Sequence, residues 1–207
     1  MNFLAHQYLS GESEKIKLGN FIGDYIKGRK YQNYHSEVQK GILLHRNIDH
    51  FTDHHPITLN SSKRLKKGYR RYSGVVVDMI YDHFLAKNWN SYHSETISSF
   101  VNLSHEVLIR NYLTLPNRVK LFLPFMIQSR RMESYASLDG LQTALQIMAK
   151  HTSLPNESDY AIETLTNEYD EFENEFNLFM KDLIEYVRNE HLINVATPYG
   201  WHLNEGK

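Results

Sequence analysis

The sequence contains no cysteine. That excludes a disulfide framework, zinc–thiolate sites and thiol nucleophiles, and it fits a reducing compartment. No apolar run approaches the roughly 18 residues needed to span a bilayer. The N-terminal stretch lacks the pattern of a signal peptide. A cytoplasmic location without a membrane partner is therefore expected. Charge of one sign is lacking too: 23 Lys and Arg stand against 24 Asp and Glu, a formal net charge of −1. No global field draws such a chain to nucleic acid or to a membrane surface. Internal repeats, low-complexity linkers, phosphate loops and Gly-x-Gly-x-x-Gly or Gly-x-Ser-x-Gly patterns are absent.

What is present is a chain of 207 residues, 41% hydrophobic, with twelve histidines. The length suits one domain with a sizeable core. Helical periodicity dominates, so an all-α, single-domain helical bundle over 1–190 is expected, followed by a C-terminal tail at 191–207. Helices are read at about 14–27, 36–54, 74–89, 94–112, 117–132, 138–149 and 158–188. Gly28 reads as a helix stop and Ser36 as an N-cap. Pro124 is expected to interrupt or kink its helix. The glycines at 19 and 23 weaken a helix but permit close approach of a backbone or a ligand.

The central stretch is Gly41-Ile-Leu-Leu-His45-Arg46-Asn-Ile-Asp49-His50-Phe-Thr-Asp53. Ile42, Leu43, Leu44, Ile48 and Phe51 give it helical spacing. Residues four apart then share one side, so His45, Asp49 and Asp53 form a rising stripe. A second core helix carries Asp78 and Asp82, one turn apart, beside His83. Uncompensated buried carboxylates are costly. A divalent cation would compensate them. The candidate ligands are His45, Asp49, Asp78 and Asp24, with His6, Asp53, Asp82 and His83 in reserve. Asp24 reads equally as a helix-end carboxylate, and His6 as a satisfied core histidine. Imidazole and carboxylate ligands without sulfur suit Mn2+, Fe2+, Zn2+ or Mg2+. Such a site supports phosphoester hydrolysis, since the ion lowers the pKa of bound water and stabilises phosphoryl charge. Arg46 could neutralise a phosphate, or pair with Asp49 or Asp53.

Residues 58–72 carry Lys63, Arg64, Lys66, Lys67, Arg70 and Arg71 and no acid. This run reads either as a solvated face or as the contact for an anionic partner. The final helix has an acidic outer face, which could pair with the basic run within the molecule.

The constellation resembles, without matching, the order of HD-type phosphohydrolases; here the adjacent pair is reversed, Asp82-His83. A closer resemblance lies in Met1-Asn-Phe-Leu-Ala-His6, Gly19-Asn20 with Asp24, Gly41-Ile42 with His45-Arg46, Ile48-Asp49, Thr52-Asp53, and Asp78 with Asp82-His83-Phe84-Leu85. These motifs resemble the acyl carrier protein phosphodiesterase family. The resemblance implies an HD-domain-like all-α fold and a metal, Mn2+ foremost. It also implies hydrolysis of the phosphodiester joining 4′-phosphopantetheine to a serine of acyl carrier protein. On that expectation His6, Asp24, His45, Asp49 and Asp78 are metal ligands, and Arg46, Asp53, Asp82 and His83 are catalytic. Lys66, Lys67, Arg70 and Arg71 would meet the acidic carrier protein. A phosphohydrolase of a small nucleotide or other phosphoester is the alternative.

Overall fold

The computed structural model describes residues 1–198. Among them are twelve α-helices and no strand. The all-α expectation is met. In chain order the helices are α1 (Phe3–Tyr8), α2 (Glu14–Ile22), α3 (Ser36–His54), α4 (Pro56–Tyr69), α5 (Ser73–Lys87), α6 (Trp89–Tyr92), α7 (Ile97–Arg110), α8 (Asn117–Gln128), α9 (Arg131–Ser134), α10 (Leu138–His151), α11 (Ser158–Asn167) and α12 (Tyr169–His191).

The tightest joint lies between α2 and α3. A Cβ on Gly19 would fall 2.1 Å from Val38 O, and one on Gly41 would fall 2.3 Å from Ile16 O. Only two facing glycines let these backbones come so close. The joint fixes where α3 presents its polar stripe. Helix α5 runs through the core, with Val76, Ile80, Tyr81, Phe84 and Leu85 all inaccessible. Phe172, Phe176, Phe179, Leu183 and Val187 of α12 close over it at helical spacing. Edge and stacked contacts join Tyr81 and Phe84 to Phe176.

Several boundaries depart from expectation. Helix α2 ends at Ile22 rather than near 27, because Gly23–Tyr25 tightens into a 3-10 turn. A second 3-10 segment, Gly28–Asn33, occupies what was read as a polar loop. Gly28 enters it with φ +58. His35, not Ser36, caps α3, accepting the Glu37 amide on Nδ1 at 3.3 Å. Pro124 lies inside α8. The long helix over 158–188 is two helices broken at Glu168, whose backbone leaves the helical region at φ −127 and ψ 39.

The break has a visible partner. Arg64 of α4 lies 3.2 Å from Glu168, pairs closely with Glu175, and stacks on Phe172 at 4.2 Å. One member of the basic run is thus bound to the acidic final helix, as charge patterning allowed. After His191 the chain is irregular, yet Ile193 and Val195 are buried and Tyr8 donates to Ala196 O. The rest of the expected tail, 199–207, lies outside the described residues. None of the described helices is long and apolar enough to cross a membrane.

Candidate metal centre

His6 is brought in by α1. Asn2 caps this helix by accepting the Phe3 amide, and Asp82 of α5 accepts the Leu4 and Ala5 amides at 2.9 and 3.2 Å. Four amides at a helix start lack intrahelical partners, so a buried carboxylate there is well matched. It pins α1 to the core with His6 turned inward. Asn20 of α2 then orients the ring. Its amide donates to His6 O and to Ser10 Oγ at 2.7 and 2.9 Å, which leaves its carbonyl oxygen facing His6 Nδ1 at 2.8 Å. Nδ1 therefore carries the proton, and the lone pair of Nε2 points the other way. It points at two acceptors, Asp49 Oδ1 and Met1 O, both at 3.1 Å. Burial, with the charge of His45 next, pushes His6 down to about 4, so no second proton resolves this clash of lone pairs near neutrality. A cation would.

His45 of α3 stacks on His6 with ring centroids 4.2 Å apart. Gly23 makes room for it: a Cβ there would lie 2.5 Å from the imidazole. His45 Nε2 sits 3.4 Å from Asp24 Oδ1 and 3.2 Å from Asp49 Oδ2. Both ring nitrogens are buried, and neither makes a well-directed hydrogen bond. Burial alone would lower its pKa, but the Asp24 and Asp49 carboxylates push it up to about 9. Burial would raise Asp49, yet the His45 imidazole and the Met1 ammonium hold it far below the usual carboxylate range. His45 in turn holds Asp24 low. Donor atoms of His6, His45 and Asp49 all lie within 4.8 Å of one another. Two imidazoles and a carboxylate converging in this way fit a divalent cation.

Asp78 of α5 completes the charge pattern from the far side. Burial raises it to about 6, and the Met1 ammonium lies 3.1 Å from its Oδ1 and 4.0 Å from Asp49 Oδ1. A cavity of about 460 Å³ unites these groups, lined by His6, Asp24, His45, Asp49, Asp53 and Asp78 together with Asn20, Met148 and Thr152. Six of the residues singled out by sequence thus share one pocket.

Three others do not behave as expected. Arg46 neither lines this cavity nor pairs with Asp49 or Asp53. Its guanidinium donates to the carbonyls of Ile26 and Gly28 at 2.6 and 2.9 Å and lies over Tyr31 at 5.3 Å. It borders a shallower depression beside Asp24, Asp49 and Asp53. Its visible work is to hold the turn that carries Asp24. Asp82 lies outside the pocket, fully buried, with its carboxylate engaged at α1. His83 faces elsewhere, with Nδ1 at 2.7 Å from Tyr135 O and Nε2 at 2.7 Å from the Tyr169 hydroxyl. One residue along a helix turns a side chain by about 100°, so His83 faces away from its neighbour Asp82. Of the basic set, Arg71 donates to the Tyr72 hydroxyl at 2.8 Å. Lys66, Lys67 and Arg70 are exposed and make no ion pair among the described residues. Sequence reasoning missed the orienting role of Asn20, although Gly19-Asn20 stood out as a motif. It also missed Met148 and Thr152, which no spacing marked.

Fold and pocket together define an all-α protein with a cavity lined by imidazoles and carboxylates, three of which could hold a metal ion. The profile of the acyl carrier protein phosphodiesterase family matches residues 1–183, and the chain belongs to that family of enzymes. An acyl carrier protein phosphodiesterase of Yersinia pestis is 31% identical over 150 residues, covering 72% of this chain and 78% of its own. One from Enterobacter sp. (strain 638) is 28% identical across 93% of this chain and its whole length. One from Photorhabdus laumondii is 26% identical across 92% and 96%. No solved structure matches the chain.

Proposed function

We propose that this protein is a metal-dependent phosphodiesterase acting on holo-acyl carrier protein. It would cleave the 4′-phosphopantetheine–serine diester to give apo-carrier protein and 4′-phosphopantetheine. Family membership supports the carrier-protein substrate. The observation that carries the metal is the bare Nε2 of His6 aimed at the Asp49 carboxylate.

His6, His45 and Asp49 would hold the ion, with Asp24 and Asp78 flanking. Mn2+ is the ion proposed, and Fe2+, Zn2+ or Mg2+ suit the same donors. Bound there, it would supply Lewis acidity toward a phosphoryl oxygen and toward attacking water. The chain's own groups do the rest. Asp53, on the pocket wall one turn beyond Asp49, accepts the proton of the attacking water. Asn20 fixes the His6 tautomer, and Arg46 fixes the turn bearing Asp24. The exposed Lys66, Lys67, Arg70 and Arg71 draw in the acidic carrier protein. A cytoplasmic location follows from that substrate.

The test is incubation of holo-carrier protein with the protein and Mn2+, followed by mass measurement. Loss of a phosphopantetheine mass is expected. An unchanged mass with each of the four ions would end the proposal. Cleavage of small phosphoesters with the carrier protein left intact would shift it to the alternative substrate class.

A further inference from the structure

The depression that Arg46 borders measures about 350 Å³. It shares Asp24, His45, Asp49 and Asp53 with the deeper pocket, so an ion held by His45 and Asp49 would face both. No lysine or arginine lines the deeper pocket. The depression has Lys27 and Arg46. The guanidinium of Arg46 is already engaged with the carbonyls of Ile26 and Gly28. Those are the carbonyls on either side of Lys27, so Arg46 clamps the backbone around that residue from both ends. Gly28, at φ +58, lets the chain turn directly after it. Lys27 itself is exposed and makes no ion pair among the described residues. It is unpaired even with the three aspartates that line the same depression. A lysine fixed by its backbone beside the donors, with its ammonium uncommitted, is a cation available to a ligand.

Charge decides what that ligand is. Asp24, Asp49 and Asp53 put three carboxylates on the shared wall, and a divalent ion offsets only two of their charges. A phosphodiester is an anion as well and would meet the remainder as repulsion. The Lys27 ammonium cancels it. We propose that Lys27 is the phosphate-binding residue of this centre, its ammonium gripping a phosphoryl oxygen of the substrate in the depression. A lysine meets phosphate as a compact charge with three rotatable donors and needs no fixed fork. As water adds to phosphorus, the phosphoryl oxygens pass from sharing one negative charge to sharing two. The ammonium gains from that build-up, so it lowers the barrier as well as holding the substrate. Arg46 is then a positioning residue that acts through the Lys27 backbone. This inference rests on the phosphodiesterase reading of the metal centre.

The test compares the wild type, Lys27→Ala and Lys27→Arg. Lys27 is exposed, so both variants should fold with unchanged helical circular dichroism. Mn2+ is titrated calorimetrically into each metal-free protein. 4′-Phosphopantetheine and pantetheine are then titrated into each Mn2+-loaded protein, and kcat and KM are measured on holo-carrier protein. Lys27→Ala should weaken phosphopantetheine binding by about 10- to 100-fold, as loss of a hydrogen bond to a charged group does. It should lower kcat/KM by a similar factor, through kcat as well as KM. Lys27→Arg should recover most of both. Pantetheine, which lacks the phosphate, should bind the three proteins alike, and Mn2+ affinity should not fall. Cleavage of holo-carrier protein with a kcat/KM that Lys27→Ala leaves untouched would overturn the role of Lys27 alone. So would a loss of Mn2+ affinity in Lys27→Ala, or an arginine variant no better than alanine, since either marks a merely structural residue. A wild type that neither cleaves holo-carrier protein nor binds phosphopantetheine would overturn the underlying reading and Lys27 with it.

Discussion

At the scale of single residues, the centre depends on which way one lone pair points. Asn20 decides that for His6. Asn20→Ala should weaken Mn2+ binding by about 10- to 100-fold, as loss of an outer partner of a metal-bound histidine does. Calorimetric titration with the ion would show it, and a fully retained affinity would remove Asn20 from the centre. Asp49→Ala should abolish turnover while the helical circular dichroism stays intact. His45 gives a pH signature. Its pKa in the fold, about 9, lies above its ordinary 6.5. Its contribution to the metal-free protein is therefore complete below pH 6.5 and fades as pH rises through 9. The full effect is no more than about 3 kcal/mol. Melting curves from pH 6 to 10 should fall more steeply for the wild type than for His45→Gln. Parallel curves would show that the imidazole is not held as a cation.

At the scale of elements, glycines decide whether the helices can meet. Gly23→Ala would drive a methyl into the His45 ring. It should cost metal binding and turnover more than stability, because the neighbouring backbone is a short turn. Gly19→Ala would instead press on the α3 backbone. A lowered melting midpoint, by the equivalent of about 1–3 kcal/mol or more, is expected. The same contrast explains what the sequence disclosed. Long amphipathic stretches such as α3 and α5 were legible from the spacing of Ile42, Ile48, Ile80 and Phe84, because burial enforces that spacing. The stripe of His45 and Asp49 was legible for the same reason. Where the outcome hung on partners distant in the chain, the sequence was mute. Asp82 and His83 sit beside Asp78 on paper, but α5 is buried on all sides and turns them toward α1 and toward Tyr135 and Tyr169. The end of α2 at Ile22 and the break at Glu168 likewise answer to His45 and Arg64, which lie far off in sequence.

At the scale of the whole molecule, near-neutral net charge hides an uneven distribution. Arg64 is spent on Glu168 and Glu175, whereas Lys66, Lys67 and Arg70 remain without ion pairs among the described residues. Reversing the charge of Lys66, Lys67, Arg70 and Arg71 together should raise KM for carrier protein severalfold, with kcat little changed. The effect should shrink as salt rises, since the Debye length falls to about 8 Å at physiological ionic strength. An unaltered KM at low salt would take this face out of docking. Arg64→Ala should instead lower stability and leave KM alone.

The facing glycines of α2 and α3 also bear on how the protein is made. Of the three clustered donors helix α3 carries His45 and Asp49, and the third waits on α1, its ring oriented by Asn20 of α2. A nascent chain emerging from the ribosome therefore has no high-affinity grip on a passing ion until that close joint has shut. On the metal dependence proposed above, capture of the ion would report completed assembly, and cells starved of it would accumulate a folded, idle enzyme rather than a tangled one.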